Sequence, residues 1–280
     1  MHNGVLLIDK PAGFTSRDIV NQVGKIFHTK KVGHTGTLDP MATGVLILCV
    51  GSYTKLVDNL TSKNKEYIAV MQLGLLTDTL DITGKTLKEE SVNISKDQIY
   101  AAFKNFPREY NQEVPSYSAV KINGKKLYEY AREGVSVTLP KRIVNIYSLE
   151  ILSIDGNRVT FKTSVSKGTY IRSLIRDLGV SLKTYASMRS LRRVSQGEFT
   201  IDKCLKISDI TENTSLLTLD DLFSYPHFAL NDTEYQKVLN GNKLFLKSAS
   251  LYLLLTYQNK TIALYMKDGD TYRIIFKDTN

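Results

Sequence analysis

The sequence predicts an α+β protein, with a mixed, largely antiparallel sheet followed by a small β-barrel-like module. Three observations carry that prediction. Short apolar strands bounded by Gly, Asp or Lys recur through the first part of the chain. Helical periodicities fall among them without a regular strand–helix–strand alternation, which argues against a doubly wound parallel sheet. Past about residue 220 the pattern becomes mostly strand.

Each element has its own justification. Residues 5–8, 44–50, 67–71 and 158–162 are the strand candidates of the first part. Ser16–Ile26 carries apolar side chains at 19, 20, 23 and 26, with Thr15 or Ser16 placed to cap it. Ser95–Asn105 repeats the pattern, with Ser95 as cap and Ile99, Ala102, Phe103 and Phe106 on one face. Leu127–Arg132 and Arg172–Leu178 are further helices, the second ending at Gly179 as a C-cap. In the tail, a helix over Asp232–Leu239 leads to Gly241. Strands are expected at Leu244–Lys247, Leu251–Tyr257, Thr261–Tyr265 and Tyr272–Phe276. The expected division is residues 1–220 and 221–280.

Composition narrows the function. The 280 residues are 42% hydrophobic and 23% charged, ordinary for a globular chain and too apolar for wholesale disorder. No apolar run reaches the roughly 18 residues of a membrane span. The opening MHNGVLLIDK reads straight into a strand, without the pattern of a secretory signal, so a cytoplasmic protein is expected. Cys49 and Cys204 are the only cysteines, which excludes a disulfide framework and a zinc knuckle. Net charge is +9, of which the residues after 220 hold only +1. Basic clusters stand at Lys25/Lys30/Lys31, Lys63/Lys65, Lys121/Lys125/Lys126, Lys141/Arg142 and Arg189/Arg192/Arg193. Any one of them reads as a solvated face; five together point toward a nucleic-acid partner.

The run GHTGTLDPMATG over residues 33–44 is the segment that carries chemistry. Three glycines, three threonines and a proline in twelve residues predict an irregular loop. It places His34 and Asp39 just ahead of an apolar strand. Pro40 biases Asp39 toward an extended backbone, although Asp-Pro is also an ordinary turn opener. No Gly-Lys-Ser/Thr follows, so a nucleotide P-loop is not supported.

Residues 34–46 closely resemble the catalytic loop of TruB-type tRNA pseudouridine synthases. Further blocks follow in family order: residues 4–16, 65–84, 115–128, 167–174 and 191–199. Two departures are Val114, where many relatives carry a proline, and Val194-Ser195-Gln196. The resemblance implies a pseudouridine synthase catalytic domain with a C-terminal module resembling a reduced PUA domain. It implies isomerisation of uridine 55 in the T-loop of tRNA, on a base flipped into a pocket. No cofactor and no metal are implied; tRNA is the partner, through its T-loop and acceptor stem, and a monomer is the default assembly.

The resemblance also assigns roles. Asp39 is the nucleophile, or assists proton removal from the sugar. Arg172 supplies the positive charge that a carboxylate needs in a dry pocket. Tyr67 and Tyr170 offer rings for the extruded uracil and hydroxyls for its edge, and Tyr67 can relay the C5 proton. His34 supports the flipped nucleotide or ties down its own loop. Leu191 walls the pocket. Lys10 and Lys55 either approach phosphates and the active-site network or are surface lysines. Two other readings stand beside this one: a tRNA-binding folding helper with secondary isomerase activity, and a synthase for a different RNA.

Overall fold

The computed structural model describes residues 2–61 and 64–278, so Lys63 of the second basic cluster lies outside the described residues. The chain forms two compact units. One comprises residues 1–40, 46–61 and 203–280, the other residues 41–45 and 62–202.

In the first unit, the strand Gly4–Lys10 runs parallel to Leu205–Lys206, with Ile8 opposite Leu205. Val32–His34 pairs antiparallel with the end of Thr43–Val50, setting His34 opposite Leu48. Residues 44–50 are buried without interruption, as expected of a strand covered on both faces. The helix Ser16–Ile26 starts where its periodicity predicts. Thr15 is the cap: its hydroxyl accepts from the Asp18 N–H, while the Asp18 carboxylate accepts from the Thr15 N–H. Ile19, Val20 and Val23 form its buried face.

The C-terminal stretch of this unit holds a four-stranded sheet, ordered His227–Ala229, Tyr252–Tyr257, Lys260–Asp268, Thr271–Lys277. Its core gathers Val238 of the helix Asp232–Leu239 with Leu253, Leu255, Ala263, Tyr265 and Tyr272. The expected strand over Leu244–Lys247 is not formed; Leu244 makes a single bridge to Tyr272. Leu244 and Leu246 instead fill the core from irregular backbone, while Phe245 between them is exposed. Conversely, His227–Ala229 is a strand too short to show alternation in the sequence.

The second unit is built on one sheet. From Thr43-Gly44 its order runs Ala186–Gln196, Lys65–Leu73, Arg158–Val165, Lys141–Asp155, Glu109–Glu113. Only the Thr43-Gly44 pairing is parallel, so the antiparallel expectation holds here. Gly44 has φ +102°, and a Cβ there would sit 2.1 Å from the Arg193 carbonyl oxygen. Two backbones meet at that point, and only glycine leaves the room. The helix Lys96–Asn105 is capped by Ser95 as expected and buries Ile99 and Phe103. The other long helix spans Ile171–Ser181, so Gly179 is not its C-cap. A Cβ on Gly179 would lie 2.8 Å from Ala186 Cβ, so this glycine serves close packing against the following strand.

Candidate active site

The irregular loop predicted after His34 is present, and its geometry follows from two anchors. Ser16, the first residue of its helix, is buried. Its hydroxyl accepts from the Leu38 N–H at 2.9 Å and faces the Leu38 carbonyl at 3.2 Å. On the other side of Asp39, the Pro40 carbonyl accepts from the Gly13 N–H at 2.9 Å and from Lys10 Nζ at 3.3 Å. Asp39 is thus a half-buried carboxylate between two pinned peptides. Pinning both neighbours removes the backbone freedom an irregular loop would otherwise have.

Lys10 is fully buried, which corrects the surface-lysine alternative. Its ammonium donates to the carbonyls of Pro11, Phe14 and Pro40, at 2.8, 2.7 and 3.3 Å. Carbonyl oxygens replace its hydration shell, which is what a buried ammonium requires. Lys55 is exposed on the 3₁₀ turn Gly51–Leu56. The His34 ring accepts the Gly36 N–H at Nδ1, 3.3 Å away, so it does tie down its own loop.

Tyr67, Tyr170, Arg172 and Leu191 lie in the second unit. Tyr67 is 6% exposed, on the strand Lys65–Leu73, where alternate residues from Lys65 to Leu73 are buried. It stands between Thr163 and Arg193 of the flanking strands. Leu191 is opposite Ala69, so Tyr67 and Leu191 are diagonal neighbours on one face of the sheet. Tyr170 is the residue that caps Ile171–Ser181, and Arg172 is the second residue of that helix. Arg172 is buried, 5% exposed as a residue. Nη1 donates to the Thr79 carbonyl and Nη2 to the Tyr117 carbonyl, both at 2.9 Å. It thereby joins two of the blocks that the sequence singles out. The turn carrying Thr79 is organised by Asp81, whose carboxylate accepts from Thr79 Oγ1 and from the N–H and hydroxyl of Thr83.

Two features escape sequence reasoning. Lys65 is only 8% exposed, on the same buried face as Tyr67. Burial, then the charges of Arg193 and Lys167, pushes its ammonium down to about 8. Gln112 is fully buried and bonded to both backbone groups of Tyr170. Neither residue type advertises burial, so no local signal marks them.

Against known families, residues 24–171 match the model of the TruB family pseudouridylate synthase N-terminal domain. Residues 172–227 match the tRNA pseudouridylate synthase B C-terminal domain. The chain is 40% identical over 287 aligned residues to the tRNA pseudouridine synthase B of Caldicellulosiruptor saccharolyticus, covering 99% of both chains. It is 41% identical to the protein of that name from Clostridium novyi, covering 97% of this chain and 98% of the relative. Among solved structures, a Cbf5-Nop10-Gar1 complex contains a similar chain, with TM-score 0.68, 26% identity and coverage of 99% and 84%. An H/ACA RNP bound to a substrate RNA containing 2'-deoxyuridine has a chain of the same fold, at TM-score 0.71 and 23% identity, covering 99% and 85%.

Proposed function

The chain belongs to the TruB family of pseudouridylate synthases, and on that premise we propose that it converts uridine 55 in the T-loop of tRNA to pseudouridine. The C1′–N1 bond breaks, the uracil turns while held, and a C1′–C5 bond forms; C5 releases its proton and N1 takes one up, so the formula is unchanged. Asp39 is the nucleophile of this reading. The observation that carries the assignment is its placement: a carboxylate in an irregular loop, held by the Ser16–Leu38 and Lys10–Pro40 anchors on either side. A reacting group gains rate when its approach is set in advance.

The other roles follow from what each side chain offers. Tyr67 supplies a ring for the extruded base and a hydroxyl for the C5 proton. Arg172 is the buried cation of the reaction, Tyr170 and His34 hold the target nucleotide, and Leu191 closes the pocket. Lys10 serves the substrate through the loop it anchors, and Lys55 is available to a phosphate from the surface. Residues 1–220 form the catalytic domain and 221–280 a PUA-like module gripping the acceptor stem. The protein works in the cytoplasm as a monomer.

The test is tritium release from C5-labelled uridine in a tRNA transcript. Release is expected from wild-type transcript and is lost when uridine 55 alone is replaced by cytidine. Undiminished release from the cytidine transcript overturns the assignment of position.

A further inference from the structure

The strands Glu109–Glu113 and Lys141–Asp155 pair with Gln112 opposite Arg142, and both side chains converge on Tyr170. Gln112 Oε1 accepts from the Tyr170 N–H at 2.8 Å, while its Nε2 donates to the Tyr170 carbonyl at 3.1 Å. One amide therefore satisfies both backbone groups of the residue that starts the helix Ile171–Ser181, whose cap makes no side-chain bond of its own. The second hydrogen of Nε2 goes to Tyr110 Oη at 2.7 Å, and that hydroxyl donates to Asp177 Oδ2 at 3.1 Å, further along the same helix. Both donors of this buried amide are thereby used, and its carbonyl oxygen accepts from the Tyr170 N–H.

Arg142 acts on the other end of the residue. Its guanidinium lies over the Tyr170 ring, 5.4 Å from the centroid. Gly168 makes way for it: a Cβ there would stand 3.2 Å from Arg142 Nη1. With one ring face taken by the arginine, stacking of a base is directed to the opposite face.

We infer that Gln112 and Arg142 are positioning residues that fix the pose of Tyr170, the amide through its backbone and the guanidinium through its ring. The extruded uracil then meets the ring and hydroxyl in a single arrangement. This rests on the reading that Tyr170 touches the substrate.

The experiment is a double-mutant cycle read by single-turnover tritium release from T-loop RNA, with thermal melting of each protein. Gln112→Glu keeps the size and the acceptor but sets an oxygen against the Tyr170 carbonyl. Arg142→Ala removes the cation from a half-exposed position. Each is expected to slow the reaction by about tenfold or more, since small misplacements of a reacting pair are costly. In a Tyr170→Ala background both effects should vanish, because they act through that side chain. Effects that persist in that background overturn the inference, as does wild-type speed in both single variants. Wild-type speed in Tyr170→Ala alone removes the substrate role of Tyr170 and the inference with it, whereas persistent effects beside a slow Tyr170→Ala remove only the clamp. If Gln112→Glu does not fold, the Arg142–Tyr170 cycle decides by the same criteria.

Discussion

Replacing Lys65 by Met should stabilise the protein at neutral pH and make its stability respond differently to alkali. Lys65 is 8% exposed, and its ammonium falls from 10.5 to about 8 in the folded chain. That difference corresponds to about 3 kcal/mol of folding free energy spent on keeping the charged form at pH 7. The sign follows from proton counting. Between about pH 8 and 10.5 the unfolded chain holds a proton on Lys65 that the folded chain has released, so stability rises with pH across that window. Met is unbranched, of similar length and carries no charge, so it should recover most of that cost. Cys49 opposes the trend in both proteins: burial raises its thiol to about 12, so the folded state retains a proton above pH 9 and loses stability there. The informative quantity is therefore the difference between the two proteins, from urea titrations at steps from pH 7 to 10. Lys65→Met should lead at pH 7 by up to about 3 kcal/mol, with the lead shrinking as pH rises. A lead that does not change with pH, or a less stable variant at pH 7, would refute the reasoning.

Asp39→Asn should lose roughly 10⁴-fold or more in tritium release, by analogy with removal of other nucleophiles, while melting and RNA binding change little. A folded variant that still releases tritium briskly contradicts the nucleophile assignment. Ser16→Ala leaves the buried Leu38 N–H without its partner. It should cost about 1–3 kcal/mol in denaturant melts and lower turnover through the Asp39 loop. Tyr67→Phe keeps the ring and should bind tRNA while turning over slowly; Tyr67→Ala should lose both, and equal activity of Phe and wild type would leave only stacking. Binding to tRNA should weaken with salt with a log–log slope on the order of several, given the +8 carried by residues 1–220. Flat affinity from low to physiological salt would remove the electrostatic account.

Much of the architecture was legible because the local signals were strong. Thr15 and Ser95 stand three residues ahead of Asp18 and Gln98, and the structure forms both capping boxes. The long strands Lys141–Asp155 and Ala186–Gln196 were harder to see. Register shifts interrupt each of them, at Ile146/Ser148 and Ile151/Ser153 in one and at Met188/Ser190 and Arg193/Ser195 in the other. Each bulge resets which side chains face inward, so a period of two does not survive along the chain. Gly179 misled for a related reason. A glycine near a helix end reads as a stop, and only the position of Ala186 shows that its role is contact.

For the site, the sequence by itself determined the residue types and their order: an aspartate in a glycine- and threonine-rich loop, tyrosines and an arginine in fixed blocks, and a family resemblance strong enough to name the chemistry. Tertiary structure decided what each side chain pays and whom it serves. Lys10 and Lys55 are both lysines near strand ends, yet one is enclosed by three carbonyls and the other faces solvent. Gln112 reads as an ordinary polar residue until it is found on both backbone groups of Tyr170, and Lys65 as a surface charge until its burial is known. The physical reason is common to all three. Lys10 finds two of its carbonyls within four residues, but the third belongs to Pro40, 30 positions away, and Gln112 reaches Tyr170 across 58; no local window contains those distant partners.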